Sequence, residues 1–186
     1  MKYEILKDEF IEFNSRKLYR IKALKDFRDV KEGEFGGYIE SEQNLSQEGN
    51  AWVYGNARVY GNARVSGNAQ VSGNARVSGN AQVSGNAWVS DNEQVSGNAW
   101  VSGNARVSGN NAIVWFSNVG TENGTLTVYC GKNGLIATRG CFTGSVEEFL
   151  AKSAEVHDEK TKREYELLIE VARSRLGEAQ GNIEDE

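Results

Sequence analysis

Few residue types in this chain could do chemistry, and their spacing limits what that chemistry could be. Its 186 residues include one histidine, His157, and two cysteines, Cys130 and Cys141. A single imidazole cannot build a three-histidine metal site. No Gly-x-x-x-x-Gly-Lys run is present to cradle phosphates, and "GEFGGY" lacks the strand–helix setting of a dinucleotide fingerprint. The repeats carry no Asp-rich or Gly-x-Asp calcium pattern. The carboxylates Glu147, Glu148, Glu164 and Glu166 fall where helices keep solvated faces. The sequence therefore predicts no catalytic group, no metal site and no cofactor. His157 is expected to be a solvated residue near a helix end.

Binding side chains are better represented, and the elements that carry them come from one repeated word. Valine recurs at 53, 59, 65, 71, 77, 83, 89, 95, 101 and 107, as in "SGNAQVSGNARVSGNAQV". A period of six is neither a helical face nor a long strand. It fits a short strand and a tight corner. Within Ala-x-Val-Ser, alternate side chains face opposite ways, so alanine and valine share the inside. Gly-Asn supplies the corner, because these residues best tolerate positive φ. Zero prolines leave 21 glycines to make the special turns. Coils stacked in this way form a β-solenoid with a narrow apolar interior.

The word "VSGNAR" resembles the hexapeptide repeat, and the resemblance spans residues 39–114. It implies three hexads per 18-residue coil and a left-handed parallel β-helix. The flanks are similar to uncharacterised hexapeptide-repeat proteins of phages and prophages. That similarity is carried by "LYRIKALKDFRDVKEGEFGGYIESEQNLSQEGNAWVYGNA" before the coils, and by "GCFTGSVEEFLAKSAEVH" and "EYELLIEVARSRL" after them. Many hexapeptide-repeat proteins are acyltransferases with a histidine base at a cleft between subunits. His157 lies outside the coils, and no long loop interrupts them to cover an acyl donor. The resemblance implies a fold and an origin without an activity.

Five segments follow. Residues 1–35 form an N-terminal cap with a hairpin turning at Asn14-Ser15-Arg16-Lys17, and residues 36–115 form the solenoid. Residues 116–144 form a hairpin cap turning at Gly131-Lys132-Asn133-Gly134. That turn places Cys130 near Leu135–Ala137 and Cys141 near Gly124–Leu126, which argues against a disulfide. Residues 145–176 form a helical module, opened by the capping box Ser145-Val-Glu-Glu148. Its second helix places Tyr165, Leu168, Ile169, Ala172 and Leu176 on one face, expected to dock on the body of the chain, with a partner helix as the alternative. Residues 177–186 form an acidic, flexible tail. Caps are needed because an uncovered solenoid end is an aggregation-prone strand edge.

With 39% apolar and 25% charged residues, the chain reads as a soluble globular protein. No apolar run approaches the roughly 20 residues that span a bilayer. Two cysteines and an acidic, interrupted N-terminus suggest the cytoplasm of a bacterial host. The net charge is −5; residues 51–114 carry four basic and two acidic groups, and residues 145–186 carry six and twelve. Direct nucleic-acid binding is not expected from that distribution.

The outward positions suggest where binding would occur. One column holds Trp52, Gln70, Trp88 and Arg106, with Tyr54 beside it. A second holds Arg58, Arg76 and Gln94, with Tyr60 alongside, and a third holds Arg64, Gln82 and Trp100. These ring and guanidinium types are enriched at binding hot spots. The rings could meet a host protein, a second copy of the chain, or the terminal modules. Arg58 and Arg76 could form an anion site or two solvated cations. In "SDNEQV", Glu93 replaces an inward alanine, with Asn111 one coil later. Either the two satisfy each other, or a bulge opens the coil, or the pair lines a polar notch. The expectation is a non-catalytic phage-type binding protein, a candidate inhibitor of a host defence complex. A self-assembling homo-oligomeric scaffold is the alternative, and an acyltransferase-like enzyme is the third class.

Overall fold

The computed structural model describes residues 1–109 and 112–177. The hexads form ten two-residue strands, β4–β13, from Trp52–Val53 to Arg106–Val107, preceded by β1 (Tyr3–Phe13), β2 (Arg16–Ala23) and β3 (Phe35–Ile39). Strands three apart pair in parallel, so residues 18 apart are stacked: Val59 lies on Val77, and Val77 on Val95. Three such ladders form the sides of a β-solenoid of about four turns. From Val53 to Val107 the inward valines are 0–1% exposed, and the repeat alanines from Ala51 to Ala105 match them. Fully burying a valine contributes about 1.5–3 kcal/mol, so these stacks dominate the stability of the coils.

The corners repeat as faithfully. The hexad glycines from Gly49 to Gly103 sit at φ +58° to +68°. Outside them the asparagines form ladders at the same 18-residue spacing. Asn50 donates to Asn68 at 3.0 Å, Asn68 to Asn86 at 3.1 Å and Asn86 to Asn104 at 3.2 Å. Asn62, Asn80 and Asn98 make a second ladder at 3.1 and 3.0 Å.

At the N-terminus β1 and β2 form the expected hairpin, with Asn14 and Ser15 in the turn at positive φ. It continues through β3 onto the Arg58–Val59 edge and so closes one solenoid side. After the coils comes a four-stranded antiparallel sheet of β14 (Ile113–Val119), β15 (Gly124–Gly131), β16 (Gly134–Arg139) and β17 (Phe142–Ser145). This is two strands more than the expected hairpin. Cys130 faces Leu135 as expected. Cys141 lies past the end of β16, whose Arg139 pairs with Leu126, in the turn that Gly140, at φ +57°, makes into β17. Both thiols are free.

Helix α1 (Val146–Val156) carries the Ser145–Glu148 capping box, and α2 (Glu159–Leu176) begins at an Asp158 cap. Tyr165, Ile169 and Ala172 are buried against the sheet, with Leu168 and Leu176 packed beside them. Neither helix is long and apolar enough to cross a membrane. The expected tail beyond Gly177 lies outside the described residues.

Candidate functional site

The outward columns are real, but the terminal modules cover most of them. Trp52 is 0% exposed. Tyr3 and Phe27 meet its ring edge-on, with centroids at 6.1 and 5.3 Å. It is an anchor for the N-terminal cap and not part of a contact surface, which resolves the three readings of this ring in favour of intrachain cover. Tyr54, half-buried, donates its hydroxyl to Asp29 at 3.0 Å, and burial followed by that carboxylate raises its pKa. The hairpin tip brings Phe13 over the second column. Tyr60 packs edge-on against Phe13 at 5.6 Å, while the Arg58 and Arg76 guanidiniums lie 4.6 and 5.3 Å from its ring centre. Arg58 and Arg76 are therefore held by cation–π contact under the hairpin, and they are not two freely solvated cations. Trp100 is half-buried under the C-terminal sheet, where Thr138 donates to its carbonyl at 2.7 Å and its own Nε1 donates to Ser84 at 3.4 Å.

Among the rings of these columns Trp88 is the exception, at 39% exposed. Its Nε1 donates to Ser72 Oγ at 3.1 Å, and the Arg106 guanidinium lies 4.8 Å from its ring centre. Around these two residues the molecule forms a groove of about 590 Å³. That size falls within the range of ligand sites. Its floor is the Gln70–Trp88–Arg106 column, which the ladder holds in register. One wall is Arg28, whose Nη1 donates to the Asn68 carbonyl at 3.1 Å. The Gln70 carboxamide, with its oxygen toward this guanidinium, accepts at 2.6–3.1 Å. The other wall is the β15–β16 turn with Lys132, docked on the coil through an antiparallel bridge between Gly131 and Ala105.

Three cations line the groove, and no aspartate or glutamate among the described residues does. Arg106 and Lys132 have no carboxylate within 4.0 Å among those residues, whereas Arg28 has Asp29 at 3.7 Å. Sequence reasoning placed Trp88 and Arg106 in one column but missed Arg28 and Lys132, because both walls arrive from outside the repeat. The lone signal for either was a basic residue in a turn.

The broken hexad departs from its neighbours at its corner and at its inward position, while its strand pairs in the ordinary register. Asp91 takes the corner at φ +61°, where other hexads carry glycine, and its carboxylate accepts from the Gly109 amide at 2.9 Å. Glu93 is 6% exposed and accepts from the Ala112 amide at 3.4 Å. Burial raises its pKa, the Ala112 hydrogen bond opposes this, and Asp91 adds to the rise. The proposed partner Asn111 lies outside the described residues.

The remaining candidates for chemistry are occupied structurally. Glu147 accepts from Arg173 at 2.8 Å, Glu148 caps α1, and Glu164 accepts from the Gly120 amide at 3.0 Å. Arg163 donates to Glu166 at 3.3 Å. His157 ends α1, as expected, and is half-buried, with its ring centre 5.5 Å from that of Tyr165.

The coils match the family described as YdcK beta solenoid repeat over residues 57–69, 69–85, 81–97 and 93–109. A 37-residue stretch is 51% identical to the uncharacterized acetyltransferase YdcK of Escherichia coli (strain K12). That stretch is 20% of this chain and spans 11% of the length of that relative. Both similarities support a β-solenoid repeat protein.

Proposed function

We propose that this chain is a non-catalytic binding protein that recognises an acidic segment of a partner protein in the groove beside Trp88. One observation carries this reading: a chain of net charge −5 gathers Arg28, Arg106 and Lys132 around one exposed tryptophan, with no carboxylate in the lining among the described residues. An exposed ring flanked by guanidiniums is the composition of a binding hot spot. Complementary charge would steer an acidic partner to it. The position of His157 at the end of α1, away from the coils, supports a role without acyl transfer. In the phage-type setting that the flanks resemble, occupying an acidic surface of a host complex would inhibit that complex.

The test is capture from bacterial lysate by the full chain, beside a Trp88→Ser/Arg106→Glu variant. One host protein is expected, retained by the parent, lost by the variant, and released as salt screens the groove. A second reading, a self-assembling scaffold, is favoured by Leu167 and Val171, which are 44% and 45% exposed one turn apart on α2. Capture of nothing but the chain itself would select the scaffold. Equal capture by parent and variant would remove the groove from the account.

A further inference from the structure

The carboxylates missing from the groove beside Trp88 are gathered in one place elsewhere in the chain. Residues 178–186, "EAQGNIEDE", carry four acidic residues and no basic one, and so hold four of the five net negative charges. Three of them, Glu184, Asp185 and Glu186, are consecutive and directly follow Ile183, the one large apolar residue of the segment. The groove offers the complement. Trp88 is its exposed ring, and Arg106 and Lys132 are exposed cations with no carboxylate within 4.0 Å among the described residues. Arg28 adds a third charge, shared with Asp29 at 3.7 Å on an exposed side chain.

Helix α2 delivers the segment to the right end of the molecule. Near its start, Glu164 accepts from the Gly120 amide at 3.0 Å, in the β14–β15 turn. That turn lies at the opposite end of β15 from Gly131 and Lys132, which line the groove. Near the end of α2, Arg173 donates to Glu147 at 2.8 Å. Glu147 is three residues past Gly144, another groove residue. Leu176 packs on the cluster that contains Leu135, whose neighbour Ile136 also lines the groove. The helix then ends at Gly177, at φ +73°.

The tether is long enough. Three Cα steps from Gly144 to Glu147 span at most about 11 Å, and four helical residues beyond Arg173 about 6 Å. Nine extended residues reach about 30 Å, enough to round the end of the sheet at the β15–β16 turn.

We infer that residues 178–186 fold back into the groove, with Ile183 against the open face of Trp88 and the acidic triplet beside Arg106 and Lys132, so that the chain carries its own competitor. The inference rests on the groove as a seat for acidic segments, the reading proposed above, and adds its regulation: an acidic partner has to displace the tail. A tethered segment competes at an effective concentration in the millimolar range, so even a weak contact holds off a weak ligand. Exposed charges make the contact sensitive to salt.

The test compares the full chain with its Glu184→Gln/Asp185→Asn/Glu186→Gln variant, which alters no described residue. One readout is the indole N–H signal of Trp88 by NMR, assigned by its loss in Trp88→Phe. The other is the anisotropy of a labelled hexaglutamate peptide at low salt. The Trp88 signal is expected to move on neutralising the tail, while that of the sealed Trp52 stays in place. High salt should close the difference, and in an Arg106→Glu background the tail change should move nothing. The peptide should bind the variant at least about threefold more tightly than the parent. An unmoved Trp88 signal overturns the inference, and equal peptide binding by parent and variant would then leave the groove reading standing alone. A moved signal with no peptide bound to the variant would keep the tail contact and sink the acidic-partner reading. A difference that fades on about tenfold dilution would overturn the fold-back, because the occupant would be the tail of a second copy.

Discussion

Trp52 and Trp88 occupy the same place in the repeat two coils apart, on either side of Gln70, and meet opposite fates. The first is sealed under Tyr3 and Phe27, and the second is open. Alternation in the hexad was enough to put both rings outside the coil. What covers them was not legible, because Tyr3 and Phe27 arrive through a cap whose docking no local pattern encodes. Trp52→Ala should cost about 3–5 kcal/mol in urea unfolding. Trp88→Ala should cost less than about 1 kcal/mol, as exposed positions usually do. The same cap buries Lys2, whose Nζ donates to the Ala51 carbonyl at 2.8 Å. Burial, then the neighbouring charge of Lys25, lowers its pKa from 10.5 to about 8. Between those values the unfolded chain binds more protons than the folded one, so stability should rise with pH across that window. Above about pH 10 it should fall again, since the buried hydroxyls of Tyr3 and Tyr54 hold their protons in the folded state beyond the ordinary tyrosine range. Urea midpoints measured from pH 7 to 11 check both limbs, and Lys2→Met should remove the rising one.

At the scale of the element, each coil is held by its corner as well as by its valines. Gly85 and Gly103 share φ +66°, so alanine at either pays the same left-handed penalty of about 1–2 kcal/mol. A Cβ on Gly85 would also come within 2.8 Å of the Gly103 amide nitrogen, whereas one on Gly103 meets nothing within 4 Å. Gly85→Ala should therefore lower the melting temperature clearly more than Gly103→Ala does, and equal effects would contradict the close stacking of corners. Asn80→Ala breaks a donor and an acceptor contact in one ladder and should cost about 1–2 kcal/mol. The corner was legible in Gly-Asn. The asparagine ladder was not, because it exists only when coils stack with their carboxamides in contact. The C-terminal sheet was half legible for a related reason: β17 is four residues long and runs directly into the cap of α1, so its pairing with β16 leaves almost no local pattern.

For the molecule as a whole, repetition predicts tolerance. Deleting residues 66–83 joins Val65 to Ser84 and restores an unbroken hexad pattern. The shortened chain should unfold in one cooperative transition at a lower temperature, as a solenoid whose coils contact mainly their neighbours. Solenoid class, cap positions and helices were legible because each rests on short-range pattern. The groove was not, since its cations come from three separated parts of the chain, Arg28, Arg106 and Lys132. Repetition also carries a hazard, because coils so alike could slide by 18 residues and still put valine on valine. Glu93 would penalise that slide. Its carboxyl is tolerable where the amide of Ala112 meets it at the end of the stack, and one coil earlier it would face only apolar side chains. A single acidic residue in an alanine position thus lets an otherwise interchangeable series of turns count itself, and tells the chain where to stop.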